Sequence, residues 1–225
     1  MADISSNIIS LKSQIPASVK LVAVSKTKPV SDILIAYNTG QRRFGENRVQ
    51  EILNKKDLLP DDIEWHLIGH LQSNKVKLVV PFINMIQSVD SYKLLSIINS
   101  EAHKVNRIVE CLLQLHIATE ETKFGFSLNE LYEAVELQEF DNLINVRIRG
   151  LMGMATFTQD NIQIQSEFRF LADCFKTVKN RYSTGFAHFN EISIGMSGDY
   201  QLAIKEGSTM IRIGSLIFGE RNKYQ

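Results

Sequence analysis

The 225-residue chain has only two cysteines, Cys111 and Cys174, far apart and outside any CxxC pairing. That spacing argues against a redox pair or a zinc site and predicts reduced cysteines in a core or on a helix, with a disulfide as the alternative. Charge of one sign is not in excess either, since 25 basic residues balance 25 acidic ones. The balance argues against a polyanion-binding surface, and so against nucleic acid as the main partner, while leaving room for a local phosphate pocket. No stretch approaches the roughly 20 apolar residues that span a bilayer, and the opening MADISSNIIS lacks a basic segment leading into an apolar run. No membrane partner is expected, and the chain reads as soluble and cytoplasmic. Tandem repeats, low-complexity segments and long linkers are missing as well, which favours one domain over residues 1–225.

What the chain does have is alternation. Ile4, Ile8, Leu11 and Ile15 recur at helical spacing and predict an amphipathic first helix ending by Pro16. From residue 20, eight short apolar runs follow, at 20–26, 42–47, 63–69, 84–90, 108–118, 144–155, 190–197 and 209–219. Helical patterns lie between them at 31–40, 91–105, 128–140 and 161–183, several with serine or asparagine near their starts as N-caps. The pattern predicts an α/β fold, a single (β/α)8 TIM-type barrel with an extra N-terminal helix. The rival, an open doubly wound sheet, usually carries a Gly-rich first βα turn, whereas this one reads SKTKP.

In a β/α barrel the reactive groups gather where each strand ends. The run LVAVSKTKP, residues 21–29, sets Val22, Val24 and Lys26 on one face and Leu21, Ala23 and Ser25 on the other. Lys26 therefore continues an apolar row that faces a core. Partial desolvation there favours the neutral amine, which condensation with a carbonyl compound requires. The plainer reading of a strand-end lysine is a solvated cap. Lys28, immediately before Pro29, reads as an extended turn residue outside the cavity.

The later strand ends carry Glu46 and Asn47, the segment from His66 to Lys75, Lys123, GLMGMA, GMSGD and RIGSLIFG. Gly195, Gly198 and Gly214 permit close backbone approach, Ser197 offers a hydroxyl, Arg212 a fixed charge, and the Gly214 and Ser215 amides could meet a phosphate if a helix begins there. Neither cluster matches GxxxxGK[ST] or GxGxxG, and each alone reads as a tight βα turn. Closure of the barrel would set both beside Lys26. His66 and His70 have HxxxH spacing on a strand rather than a helix, which favours a structural His66. Glu46, Glu51 and Asp199 are possible acids or bases, Trp65 fits core packing, and the mixed charges of 101–110 read as a solvated helix face.

Taken together, VSKTKP, FGENRVQE, WHLIGHLQSNK, TKFG, RGLMGMA, ISIGMSGDY and GSTMIRIGSLIFG cover nearly the whole chain and resemble the pyridoxal phosphate homeostasis protein family. The resemblance implies an alanine-racemase-type barrel that binds pyridoxal 5'-phosphate, with Lys26 as the Schiff-base lysine. It implies that Arg212 faces the pyridine nitrogen, that Ser197, Gly214 and Ser215 hold the phosphate, and that Asn47 and Met196 line the pocket. Arg48 departs from the tyrosine common there, and Lys123 either approaches the cofactor's phenolic oxygen or stays on the surface. The implied function is vitamin B6 homeostasis by a monomer that binds this small molecule, without substantial turnover, with PLP-dependent apoenzymes as candidate recipients. The alternative is a PLP-dependent amino-acid racemase. Arg212 beside the ring nitrogen and a chain read as ending with the barrel disfavour it, and Tyr224 lies too near the terminus to supply an opposing acid-base group. A cofactor-free interaction domain is the third reading.

Overall fold

A computed structural model describes residues 3–119, 124–136, 140, 142–181 and 188–220. The expectations for Lys123 and Tyr224 lie outside the described residues. Eight parallel strands close in sequential order: β1 (Lys20–Val24), β2 (Arg43–Glu46), β3 (Glu64–Leu67), β4 (Met85–Val89), β5 (Val109–Gln114), β6 (Val146–Met152), β7 (Glu191–Ser193) and β8 (Met210–Ile213). Register between β8 and β1, with Arg212 opposite Val22 and Ile213 opposite Ala23, completes the ring. The fold is a (β/α)8 TIM barrel.

The helices are α1 (Ile4–Gln14), α2 (Val30–Asn38), α3 (Val49–Lys56), α4 (Val76–Val79), α5 (Tyr92–Lys104), α6 (Leu128–Glu136), α7 (Asn161–Arg181), α8 (Tyr200–Lys205) and α9 (Ser215–Phe218). Their starts follow from local chemistry. Asp3 caps α1 by accepting the Ser6 amide, and Ser91 caps α5 by accepting the Leu94 amide. Ser127 and Glu130 form a reciprocal capping box before α6, each side chain accepting the other's backbone N–H. The extra helix α1 buries Ile4, Ile8 and Leu11, and its Asn7 donates to the Ile217 carbonyl, so it braces the last turn of the barrel.

The run 209–219 divides where the sequence reads as one strand. Gly214 ends β8, and Ser215–Phe218 turns into α9. The helices α3, α4 and α8 also fall between strands where no helical pattern stands out, because each is four to eight residues long. Both cysteines are buried and unbridged, Cys111 on β5 and Cys174 on α7. Burial pushes the Cys174 thiol up to about 11 and raises Cys111 too.

Two cores result. Leu21, Ala23 and Phe44 join the large layer between sheet and helices, with Trp65 tilted against Phe44. Val22, Met85, Leu112, Met152 and Met210 fill the barrel interior. The alternation expected of residues 21–24 is thus the one observed. Among the described residues, no helix is long and apolar enough to cross a membrane.

Candidate functional site

Above the methionine layer, at the C-terminal ends of the strands, lies a cavity of about 560 Å³. All seven residues singled out as cofactor contacts line it: Lys26, Asn47, Met196, Ser197, Arg212, Gly214 and Ser215. Lys28 lines it too, correcting its expected place outside; its Nζ donates to the Phe218 carbonyl at 2.8 Å, and that bond turns the side chain toward α9. Arg48, by contrast, is exposed as the N-cap of α3 and does not line the cavity.

Arg212 supplies the floor. Buried on β8, it donates from Nη1 to the Ser193 carbonyl and Oγ, both at 2.7 Å, and from Nη2 to the Gly153 carbonyl at 2.9 Å. Burial lowers its pKa to about 10 and Asp199 opposes the shift, so the guanidinium is still a cation at neutral pH. Its partners continue inward. Ser193 donates to Gln87 Oε1 at 2.7 Å, and Gln87 Nε2 meets His66 Nδ1 at 2.8 Å. His66 is structural, as expected: burial holds its imidazole down to about 3, with Arg43 and Lys20 adding to the effect.

The phosphate-like end is built from two loops. Gly195 has φ +98°, and a Cβ there would stand 2.7 Å from the Ala203 side chain, so the turn after β7 needs glycine. That turn brings Ser197 to the start of α9, where its Oγ accepts the Leu216 amide at 3.4 Å. Asp199 accepts the Met196 amide at 2.5 Å, and burial raises its pKa against the pull of that amide and of Arg212. On the far wall, Gly69 lets the end of β3 close on the β2–α3 loop, since a Cβ would meet the Asn47 carbonyl at 2.4 Å.

Of the wall after β6, sequence reasoning included Met154, within GLMGMA, and missed residues 156–158. Met154, Thr156, Phe157 and Thr158 line the cavity, with Thr156 held by Glu167 through its amide and hydroxyl, both at 2.7 Å. Phe157 is 97 % exposed at the mouth. The rule that barrel sites collect at strand ends points to this loop, but no residue type in it carries a chemical signature. Glu46 and Glu51, two of the candidate acids or bases, do not line the cavity; they lie behind β1, where Lys55 pairs with both. Among the described residues, no group of three or more His, Cys, Asp or Glu side chains is arranged to hold a metal.

A primary amine, a buried cation and a hydroxyl beside helix-start amides thus surround one space of small-molecule size. This donor set fits an aldehyde-bearing, phosphorylated heterocycle: the amine for the aldehyde, the cation for the ring, the neutral donors for the phosphate.

Fold and site define a β/α-barrel protein with a lysine-bearing cavity at its C-terminal rim. The chain belongs to the family described as "Alanine racemase, N-terminal domain", matched over residues 1–222, and within it to the pyridoxal phosphate homeostasis proteins. The protein of that name from Vibrio alginolyticus is 39% identical over 237 residues, covering 99% of each chain. That of Escherichia coli K12 is 36% identical, covering 99% of this chain and 98% of its own. PipY of Synechococcus elongatus PCC7942, solved with PLP bound, is 37% identical with a TM-score of 0.88, covering 96% of this chain and all of its own. An alanine racemase from Clostridium difficile, at 14% identity and TM-score 0.77, shares the fold over 57% of its chain.

Proposed function

We propose that this protein binds pyridoxal 5'-phosphate with Lys26 as the covalent attachment point and serves vitamin B6 homeostasis. The observation that carries the reading is the convergence of Lys26, Arg212 and the Ser197–Ser215 pair on one cavity. When bound, the cofactor supplies a formyl carbon that condenses reversibly with amines and a ring that withdraws electrons. Lys26 presents the amine from the rim of β1. Ser197 and the amides of Gly214 and Ser215 bind the phosphate, and Asn47 and Met196 border the ring. Arg212, cationic at neutral pH, faces the ring nitrogen and discourages its protonation.

That last contact separates holding from turnover. A ring nitrogen kept unprotonated withdraws electrons weakly, and racemisation also needs acid-base groups on both faces of a substrate. Lys28 and Asp199 line the cavity, but each is engaged, with the Phe218 carbonyl and the Met196 amide. The protein therefore acts as a carrier rather than a racemase, and chiral analysis of amino acids incubated with it should match free cofactor. Rapid Lys26-dependent racemisation would replace this reading with the enzyme one. The protein's proposed setting is the cytoplasm, where a monomer would pass the cofactor to PLP-dependent apoenzymes.

The direct test is absorbance of the purified protein with peptide mapping after borohydride reduction. Wild type should show a visible band and a reduced pyridoxyl adduct on Lys26, and Lys26→Ala should lose both. An adduct mapped mainly to Lys28 or Lys75 would overturn the assignment.

A further inference from the structure

The turn that carries Lys26 is unusual in its backbone. Thr27 has φ +65°, a left-handed conformation that a β-branched residue adopts only when its surroundings impose it. What imposes it lies on the opposite side of the sheet from the cavity. The Thr27 amide donates to Glu51 Oε2 at 2.6 Å, and the Lys28 amide closes the turn on the Ser25 carbonyl at 3.0 Å. That same carbonyl accepts from Lys55 Nζ at 3.1 Å, while Ser25 Oγ donates to Glu46 Oε1 at 2.7 Å. Lys55 then spends its other donors on Glu46 Oε1 at 2.8 Å and Glu51 Oε2 at 3.1 Å. An ammonium has three donors, and these three acceptors account for all of them.

We propose that Glu46, Glu51 and Lys55 are positioning residues, which clamp the turn 25–28 from outside the barrel and so fix where the Lys26 amine enters the cavity. None of the three lines the cavity. Lys55 and Glu46 are buried, so this is not an exposed ion pair whose geometry is incidental. Glu46 comes from β2 and the other two from α3, so the clamp ties the Lys26 turn to its two neighbouring elements. On the cavity side, Lys28 Nζ anchors the far end of the turn to the Phe218 carbonyl. Lys26 thus sits between backbone groups tied down on both sides, the Ser25 N–H and carbonyl before it and the Thr27 and Lys28 amides after it.

The inference rests on the proposed role of Lys26, and its test separates the two. The double variant Glu46→Gln/Lys55→Met replaces the buried ion pair by neutral groups of similar size, a change that folded proteins commonly tolerate. In it, the two acceptors of the turn, Glu51 Oε2 and the Ser25 carbonyl, lose the Lys55 ammonium that holds them, so amide exchange at Thr27 and Lys28 should rise about tenfold relative to Val22 and Val24. Reductive methylation by formaldehyde and cyanoborohydride should change at Lys26 relative to exposed lysines. Retention of pyridoxal 5'-phosphate should fall about tenfold with Lys26 present and stay unchanged in a Lys26→Ala background, where only non-covalent contacts remain. A merely structural role would weaken retention equally in both backgrounds. If the double variant does not fold, Glu51→Ala, at the partly exposed end of the clamp, carries the same comparison. Unchanged exchange and methylation in a folded variant, or equal losses in the two backgrounds, would overturn the proposal. If wild type forms no adduct at Lys26, the functional reading fails while exchange and methylation still decide the positioning claim.

Discussion

The cations at the N-terminal end of the barrel and those that line the cavity at the other end are held in opposite ways. At the N-terminal end, carboxylates cancel them: Lys20 pairs with Glu191, Arg149 with Glu110 at 3.0 Å and Glu191 at 3.7 Å, and Arg43 with Glu64 at 2.8 Å. At the C-terminal end, Arg212 and Lys28 are held chiefly by carbonyls and a hydroxyl. A carbonyl dipole fixes a guanidinium without cancelling its charge, so this end keeps a positive potential for an anionic ligand. At the other end the cations face carboxylates instead. Val22, Met85, Leu112, Met152 and Met210 separate the two. One barrel therefore uses the same residue types for ion pairing below and for binding above.

Arg212→Glu should break the contrast most severely. It removes a buried cation that makes three hydrogen bonds and adds a carboxylate near Asp199. Retention of pyridoxal 5'-phosphate should fall by on the order of 4 kcal/mol, close to a thousandfold, with an altered visible spectrum in whatever cofactor remains. Equilibrium dialysis of the folded variant measures it, and unchanged retention would mean the rim charge plays no part in binding.

At the opposite end, Glu191→Ala leaves Lys20 and Arg149 without their shared carboxylate. It should cost about 3 kcal/mol of stability in urea denaturation while leaving cofactor retention within twofold of wild type. A loss of retention like that of Arg212→Glu would show that the two ends are not independent.

The buried carboxylate behind the rim sharpens the comparison through pH. Burial pushes Glu46 up to about 7, against the pull of Lys55 and Ser25, and its Oε2 has no hydrogen-bond partner. A carboxyl whose folded pKa exceeds its unfolded value of 4.5 holds its proton more tightly when folded. Its contribution to stability is therefore full below pH 4.5, is lost as pH rises toward 7, and is level above that. The swing should be on the order of 3 kcal/mol, and Glu46→Gln should flatten it. Denaturation midpoints across this range that keep their slope in Glu46→Gln would assign the titration to another group.

The contrast between the ends also explains what the sequence made legible. The family resemblance supplied Asn47 and Met196; alternation within LVAVSK placed Lys26 on the cavity side of β1, and the strand-end rule collected Ser197, Arg212, Gly214 and Ser215 beside it. The last two are consequences of local periodicity and of one closed topology. Lys28 was misplaced because its direction depends on the Phe218 carbonyl, 190 residues away. The Glu46–Lys55–Glu51 clamp escaped notice for a similar reason, since the turn it holds belongs to another strand and only folding brings the two together. The helix at Ser215–Phe218 was hidden in an apolar run whose composition suits a strand equally well.

The smallest expected effect tests how the rim is divided. Ser197 is neutral and half-buried, and its Oγ accepts the Leu216 amide across a long 3.4 Å contact, so its removal leaves no buried charge behind. Ser197→Ala should lower retention by about 1 kcal/mol, roughly fivefold, because the amides of Gly214 and Ser215 supply the remaining phosphate contacts. The visible spectrum should not move, since the hydroxyl serves the phosphate while Arg212 serves the ring. Absorbance titration of both variants side by side makes the comparison. A spectral shift in Ser197→Ala matching that of Arg212→Glu would mean that ring and phosphate contacts are not separated along β7 and β8.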